Sequence, residues 1–328
     1  MRLLQRSTAV AGTLLAAFTM NLATASGGAV TANCPPPPTV PEPAKLAELA
    51  RQAIDRGYLW KIEKSGRTSY LFGTIHVNSL DWMIPGPAVM TALSQVDVLA
   101  LEIDPLDPAI ARALAEPEST AATPRTLKPA LRARLDARLA AACVPPATVA
   151  RMPALMQIAA AVMMDARSVG LEPSFGSEIL LAGMALGLKK AVVSLESVAL
   201  QMASLSDRDD TEAMLSTSLQ QADNGAARRM LVRLHKAWGD GNVADMENLD
   251  KWCECLDTEA DRRLLTRLND DRNPALAAGI AGLHSEGKRV FAAVGTLHMF
   301  GAKGLPKLLA DMGYKVERVT APPGQQVR

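Results

Sequence analysis

The sequence predicts an α/β fold with a central mixed sheet, built from two similar βαβ halves with a large helical insertion or cap. Near each end of the chain, an apolar strand pattern leads into the same kind of loop, Gly-Thr-Ile-His at 73–76 and Gly-Thr-Leu-His at 295–298. A helix pattern and another strand pattern follow each loop, which is the order of a βαβ unit. The residues between the halves, about 126–283, have apolar side chains at mostly helical spacing.

The first half is predicted from the residues around the first loop. Residues 69–72 (Ser-Tyr-Leu-Phe) form a short strand that ends at the loop, and a proline opens a helix over about 87–94. Residues 96–104 then give a buried strand that ends in two carboxylates, Glu102 and Asp104.

The second half repeats this order. Residues 289–294 form a buried strand, the second loop follows, 304–312 form a helix that ends at Gly313, and 314–319 form a last strand. The same order with the same loop chemistry indicates an internal duplication, or two halves built alike. We therefore expect the two Gly-Thr-x-His loops to lie at equivalent strand ends and to face each other across one cleft.

The central region is predicted to be mostly helical, with at least one strand returned to the sheet. Five stretches carry helical apolar spacing: 132–141, 149–167, 176–186, 205–221 and 226–239. Residues 191–196 interrupt them as a short strand that ends in Glu196. Residues 45–320 are interpreted as a single domain with a helical cap at about 126–283.

Composition excludes one class of function. The 328 residues carry 35 basic and 34 acidic side chains, for a formal net charge of +1. A nucleic-acid binder needs a basic surface to neutralise phosphates, so no nucleic-acid partner is expected.

The amino terminus has the pattern of a secretory signal peptide over residues 1–25. Two arginines precede a mostly apolar run, and 23–25 (Ala-Thr-Ala) has the small-x-small form of a cleavage site. The run is shorter than the roughly 20 residues of a spanning helix, which favours a cleaved signal over an uncleaved anchor. We therefore predict a secreted or periplasmic protein with no stable membrane anchor. A proline-rich lead-in (26–44) precedes the domain, and a flexible tail (321–328) follows it.

Export changes the interpretation of the four cysteines. An even number in an oxidising compartment indicates disulfides. A bond between Cys253 and Cys255 would close a very small, strained ring. We therefore favour bonds that join Cys34 and Cys143 separately to the 253–255 segment. A metal site is the alternative, although the chain has no Cys-x-x-Cys spacing to support it.

His76 and His298 are the first candidates for a functional site. Gly73 and Gly295, each followed by threonine, let the backbone turn sharply after a strand. Each imidazole then projects from the carboxyl end of its strand, where open α/β sheets bind ligands. A single histidine could equally be a buried residue with one satisfied hydrogen bond, but two such loops among four histidines favour a site. The remaining histidines are interpreted as surface residues: His235 and His284.

Glu102 is expected to join this site. It ends the strand paired with the first loop's unit, so its carboxylate should emerge beside His76. Imidazole and carboxylate are the usual ligands of Zn²⁺, Mn²⁺ or Co²⁺, so His76, His298 and Glu102 with an open position for water would form a hydrolytic metal site. Glu102 could instead be the general base that deprotonates the water. Asp104 lies on the same strand face and is either a further site carboxylate or a cap of the turn before Pro105.

Three further polar residues each have two interpretations. Glu196 could orient a histidine or place a carboxylate at a helix N-terminus. Arg272 could hold a substrate carboxylate or pair with Glu102 or Glu196, or it could lie on the surface. Asn273 could support the site or cap the following helix.

These blocks resemble the TraB/PrgY/GumN family, which includes the Tiki proteases. The matching segments are 70–77, 101–104, 195–197 with Gln201, 272–273, and 295–298 with Gly301 and 304–305. They occur in the family's order from about residue 60 to 319. The exported form, the proline-rich lead-in and a Trp-Cys-x-Cys segment are most similar to the bacterial GumN-like branch.

The resemblance implies a fold like that of the erythromycin esterases and ChaN, with two Gly-x-x-His loops and a glutamate at the site. Tiki members are metal-dependent proteases, active with Mn²⁺ or Co²⁺. Carried over by position, His76 and His298 would be metal ligands or catalytic histidines, and Glu102 the catalytic glutamate. Tiki proteins are membrane-anchored, and no such anchor is expected here.

The leading hypothesis is an exported metal-dependent hydrolase, in particular a peptidase. It would use a divalent metal (Mn, Co or Zn) at a His/His/Glu site and act on a peptide or a small molecule. One alternative is a haem- or metal-binding protein without turnover, because ChaN-like relatives bind haem or iron. Another is a metal-free esterase in which one histidine activates water and Glu102 orients it.

Overall fold

The computed structural model describes residues 34–36, 38–39, 41–115, 126–205 and 210–320. The predicted signal peptide (1–25), the first part of the lead-in and the predicted tail (321–328) lie outside the described residues. The division into domains stays a prediction.

The six strands are β1 (Tyr58–Lys64), β2 (Arg67–Thr74), β3 (Val98–Leu101), β4 (Ala191–Ser194), β5 (Val290–Gly295) and β6 (Lys315–Val319). They form one sheet with the order β4-β3-β5-β2-β1-β6. Parallel pairing joins β4, β3, β5 and β2, and β1 runs antiparallel to both β2 and β6. The predicted α/β fold with a central mixed sheet is confirmed.

Helices fill the connections between these strands, except the hairpin turn that joins β1 to β2. In the described residues the α-helices are α1 (Pro43–Gln52), α2 (Pro87–Gln95), α3 (Pro108–Ala115), α4 (Pro129–Ala141), α5 (Pro146–Val149), α6 (Ala154–Asp165), α7 (Ser177–Gly187), α8 (Val198–Leu205), α9 (Thr211–Asp223), α10 (Ala226–Gly239), α11 (Val243–Glu247), α12 (Glu259–Leu265), α13 (Asn273–Ser285) and α14 (Leu305–Asp311). A π-helix, Thr266–Asp270, follows α12, and a 3₁₀-helix, Thr296–Met299, follows β5. Within the same residues, none of the helices has the length and apolar composition needed to cross a membrane.

Both halves follow the predicted order, but their last strands lie on different sides of the sheet. The chain passes from β2 through α2 to β3, and from β5 through α14 to β6. β3 pairs with β5 and β4, whereas β6 pairs with β1. The expected pairing of the strand before Glu102 with the strand of the first loop is therefore wrong. β5 lies between them, because its continuous apolar run is suited to a central position with both faces covered.

The centre of the sheet forms the main core. All four residues of β3 and the apolar residues of β5 are buried, as parallel strands covered by helices require. Ile280 of α13 and Trp238 of α10 pack into this core. A second apolar core lies between α4, α6 and α9 and contains Leu135, Leu139, Ile158, Leu215 and Leu219.

The disulfides differ from the expected pairing. Cys34 is bonded to Cys143, with Cα atoms 5.8 Å apart, and Cys253 is bonded to Cys255. The lead-in lies against the helical region, where Pro36 O accepts a hydrogen bond from Arg167. The interpretation that Cys34 and Cys143 each reach the 253–255 segment is therefore wrong, because packing brings together two residues that are 109 positions apart.

His235 and His284 are buried, which corrects their interpretation as surface residues. His235 lies on the inner face of α10, stacked on Trp82 with ring centroids 4.2 Å apart, and its Nε2 lies 2.8 Å from Asn78 Oδ1. His284 Nδ1 lies 2.9 Å from Ser69 Oγ, and this serine is fully buried. The charged neighbours of His235, Arg233 and Lys236, are exposed on other faces of α10, and His284 lies in the last turn of α13 with its ring turned inward. Both histidines anchor a helix to its surroundings and lie outside the candidate site.

Candidate active site

Four strand ends bring the candidate residues to one edge of the sheet. β2, β3, β4 and β5 are parallel, so their carboxyl ends lie at the same edge. His76 follows β2, Glu102 follows β3, Glu196 follows β4 and His298 follows β5. Open α/β sheets bind their ligands at this edge.

The glycines of the two loops permit a close approach. A Cβ atom at Gly73 would lie 2.8 Å from Thr296 Oγ1, and one at Gly295 would lie 3.1 Å from Glu102 Oε1. The Gly295 N–H also donates to Glu102 Oε1 at 2.8 Å. Neither glycine has a positive φ, so the requirement is for space. The two loops and Glu102 therefore pack together without room for a methyl group.

Arg272 joins two of the carboxylates. Its guanidinium donates to Glu102 Oε2 through Nη2, and to both oxygens of Glu196 through Nε (2.9 Å) and Nη2. Gln201 Nε2 donates to Glu102 at 3.3 Å and to Glu196 at 3.2 Å. Arg272 Nη1 donates at 2.9 Å to the carbonyl of Leu268, which the wide π-helical turn presents to it. The network fixes the position of both carboxylates.

The network also sets the charges of its members. Burial opposes the charged form of Glu102, but the charges of neighbouring side chains lower its pKa below the usual value. Those neighbours are the cationic Arg272 and His76, and the hydrogen bond from the Gly295 N–H adds to their effect. Burial likewise opposes the charge on Arg272, and its two carboxylate partners outweigh this effect and raise its pKa. Glu102 and Arg272 are therefore both ionised at neutral pH.

Asn273 fixes the tautomer of His298. Asn273 Nδ2 donates to the carbonyl of Lys303 at 2.8 Å and to that of His298 at 3.4 Å, so Oδ1 faces the imidazole. Oδ1 lies 2.6 Å from His298 Nδ1 and can only accept, so Nδ1 carries the proton. Burial lowers the pKa of His298, although Glu102 acts in the opposite direction. The ring is therefore neutral, and its Nε2 keeps a free electron pair 3.9 Å from Glu102 Oε1.

The Nδ1 atom of His76 is bound by a carboxylate, whereas that of His298 is bound by an uncharged amide. Its Nδ1 lies 2.6 Å from Oε1 of Glu178, in the first turn of α7. The charge of Glu178 raises the pKa of His76 to about 9, against the effect of desolvation. The side chain of His76 is 64% exposed, whereas that of His298 is 5% exposed. Two loops of nearly the same sequence thus present one charged, accessible imidazole and one neutral, buried imidazole.

Residues 58–318 match the family model described as the TraB/PrgY/gumN family. This chain belongs to the TraB/PrgY/gumN family. The match confirms the family that the sequence blocks resemble, and it includes all four strand ends of the site. No curated protein and no solved structure matches the chain. The chemistry of this TraB/PrgY/gumN protein therefore has to be argued from its own side chains.

The other predicted residues of the TraB/PrgY/gumN site take distinct positions. Asp104 Oδ1 accepts from the N–H of Leu106 at 2.9 Å, which is the turn-capping alternative. Glu196 bonds to Arg272 rather than to a histidine in the described chain. Asn273 lies in the first turn of α13, but its side chain faces His298 instead of capping that helix.

Glu178 is the site residue that sequence reasoning misses. Its signal is weak, because the Gly-Ser-Glu order at 176–178 is also the ordinary start of a helix with an acidic first turn. Gln201 lies in a segment of the family resemblance, but helical spacing did not predict α8, which carries it. Only the packing of α7 and α8 against the sheet edge assigns these two side chains to the site.

The donor set of this TraB/PrgY/gumN protein does not fit the predicted His/His/Glu metal centre in this arrangement. Among the described residues, no group of three His, Cys, Asp or Glu side chains converges as metal ligands do. Both oxygens of Glu102 accept hydrogen bonds, and one of the donors is the cationic Arg272. A cation bound at Glu102 would be repelled by that guanidinium. Dependence on Mn, Co or Zn stays a prediction.

Proposed function

We propose that this chain is a hydrolase of peptide or ester bonds in which His298 is the general base and His76 the general acid. One observation carries the proposal: the Nδ1 partner of His298 is an amide oxygen, and that of His76 is a carboxylate. The carboxylate of Glu178 favours the charged form of His76, and burial beside an uncharged amide favours the neutral form of His298. Environments that separate the pKa values of paired groups are how enzymes assign acid and base roles.

His298 and Glu102 leave a place for the attacking water. An oxygen atom about 2.8 Å from both His298 Nε2 and Glu102 Oε1 completes a triangle whose third side is their separation of 3.9 Å. His298 Nε2 takes a proton from the water as its oxygen bonds to the carbonyl carbon of the substrate. The ionised Glu102 orients the water and stabilises the imidazolium that forms.

His76 supplies the proton that the leaving group needs. Its ring is largely exposed, so a substrate at the sheet edge can reach Nε2 while Nδ1 stays bonded to Glu178. The Nε2 proton passes to the leaving nitrogen or oxygen as its bond to the carbonyl carbon breaks. His298 then releases its proton to solvent and His76 takes one up, so one water is consumed in each cycle.

Arg272 has a supporting part in this scheme. Its Nε, Nη1 and Nη2 groups all donate within the protein, to Glu196, Leu268 and Glu102. A guanidinium committed in this way holds Glu102 ionised and in place. The two histidines and Glu102 are therefore the side chains that contact the substrate and the attacking water.

We also propose that the mature chain acts outside the cytoplasm. The order of charges, apolar residues and small residues over 1–25 supports export. A disulfide between Cys34 and Cys143 is compatible with an oxidising compartment. Mass spectrometry of the protein from the periplasm should find a new amino terminus near residue 26. An intact Met1 on the exported protein would contradict cleavage.

The activity test uses the purified mature chain, a peptide library and activated esters, with and without a chelator. Both His298→Gln and His76→Gln should reduce kcat about 10²–10⁴-fold. His235→Asn is the matched control, because His235 is a buried histidine outside the site. Full activity in His298→Gln, or no hydrolysis by the wild type, overturns the proposal. Activity lost to the chelator and restored by Mn²⁺, Co²⁺ or Zn²⁺ would assign water activation to a metal instead.

A further inference from the structure

Glu178 binds the ring of His76 on the side that faces the protein interior. The two residues are 102 positions apart, and Glu178 Oε1 lies 2.6 Å from His76 Nδ1. The side chain of Glu178 is 20% exposed, against 64% for His76. The imidazole therefore rests on a carboxylate that lies deeper than itself, and the opposite side of the ring faces outward.

The start of α7, which carries Glu178, is hydrogen-bonded to the first loop. Ser177 Oγ accepts from the N–H of Ile75 at 2.8 Å, and the Ser177 N–H donates to the carbonyl of Ile75 at 2.9 Å. A Cβ atom at Gly176 would lie 2.8 Å from the carbonyl oxygen of His76 and 3.1 Å from Glu178 Oε1. The start of α7 is therefore fastened to the first loop, at a distance that only glycine allows.

The contacts of Glu178 satisfy only part of its carboxylate. Its Oε2 atom is buried and has no hydrogen-bond partner among the described residues. A buried, half-satisfied carboxylate is unfavourable for folding. A buried oxygen without a partner calls for an explanation, and a role at a functional site is one.

We propose that Glu178 is a positioning residue, which binds His76 through Nδ1 and so directs Nε2 toward the substrate. The inference rests on the proposed function, in which His76 is the acid. Asn273 holds His298 in the same way, through Nδ1. The two loops thus have similar sequences, and in each a side chain binds Nδ1 of the histidine. They differ in the charge of that side chain, which is neutral in Asn273 and negative in Glu178.

The test compares Glu178→Ala, Glu178→Gln and Asp97→Asn in the full mature chain. Asp97 is a matched acidic control that pairs with Arg289 before β3, at the opposite edge of the sheet. The first readout is the hydrogen-bonded Nδ1–H of His76 in proton–nitrogen NMR spectra, assigned with His76→Gln. The second is the separation of kcat from KM on the best substrate.

We expect Glu178→Ala to lose the Nδ1–H signal and to reduce kcat about 10–100-fold with little change in KM. Glu178→Gln keeps an acceptor oxygen, so it should retain the signal and recover part of the loss. An unchanged signal and kcat in Glu178→Ala overturn the inference and leave the proposed function standing. If the wild type hydrolyses nothing but Glu178→Ala still loses the signal, the proposed function fails and the positioning by Glu178 is supported.

Discussion

The side-chain oxygen of Asn273 lies 2.6 Å from Nδ1 of His298, and this contact leaves the other ring nitrogen free as a base. The amide cannot reverse its role, because its Nδ2 group is held by the carbonyl of Lys303. Burial lowers the pKa of His298 and keeps its ring neutral beside the uncharged amide, whereas the charge of Glu178 favours the charged ring of His76. The chemistry of the site therefore depends on the burial of each histidine and on the residue that binds its Nδ1 atom.

Asn273→Asp should shift the pH dependence of the reaction. A carboxylate beside Nδ1 favours the charged imidazole and raises the pKa of His298. The base must be deprotonated to act, so the acidic limb of the profile of kcat/KM against pH moves to higher pH by the same amount. Asp97→Asn leaves the profile unchanged if the effect is local. An unmoved acidic limb in Asn273→Asp would show that His298 is not the base.

Arg272→Met should destabilise the fold. The substitution leaves Glu102 and Glu196 side by side without their cation, and breaking a buried pair of this kind costs about 3–5 kcal/mol. Urea denaturation measures the loss in the free energy of unfolding. Arg289→Met, which breaks an exposed pair with Asp97, is the control and should change the transition midpoint little. Equal effects of the two variants would mean that the network is not structurally important.

Gly295→Ala should damage activity more than stability. The added Cβ would lie 3.1 Å from Glu102 Oε1, so the carboxylate must move away from the Gly295 N–H and from its place near His298. We expect a loss of at least about tenfold in kcat, since small displacements of catalytic groups are costly. Gly282→Ala on α13 is the matched control, because a Cβ there meets nothing within 4 Å. That variant should be active and about 0.5–1 kcal/mol more stable. Full activity in Gly295→Ala would count against the role of Glu102.

His235 should make the fold sensitive to mild acid. Burial, together with the charge of Arg56, lowers its pKa from 6.5 to about 4. Between these pH values the unfolded chain binds a proton that the folded chain does not. The free energy of unfolding therefore falls as the pH decreases through this window, by about 3 kcal/mol in total.

Urea denaturation at pH 7.5 and pH 4.5 tests this prediction. His235→Asn removes the titrating group, so this part of the acid sensitivity should disappear. The same difference between the two pH values in the wild type and in His235→Asn would refute the assignment.

Much of the sheet is predictable because its signals are local. The apolar runs of β3 and β5 indicate strands that are buried on both faces. The order of the strands depends on contacts between distant parts of the chain. Because β5 lies between β2 and β3, Glu102 lies beside the second loop rather than the first. The surface interpretation of His235 and His284 was wrong for a related reason, since a charged helix or a helix end does not show which side chains face inward in the packed chain.

The sequence by itself determined that two Gly-Thr-x-His loops and Glu102 lie at the ends of buried strands. Short apolar runs that end at a glycine or a carboxylate, with turn residues around them, favour buried strands. Only the tertiary structure decided the partners. Glu178 is 102 positions from His76 and Asn273 is 25 positions from His298, and each lies on a helix outside the loop of its histidine. Protonation follows from those partners and from burial. The division of labour between two nearly identical loops is therefore a property of the folded chain.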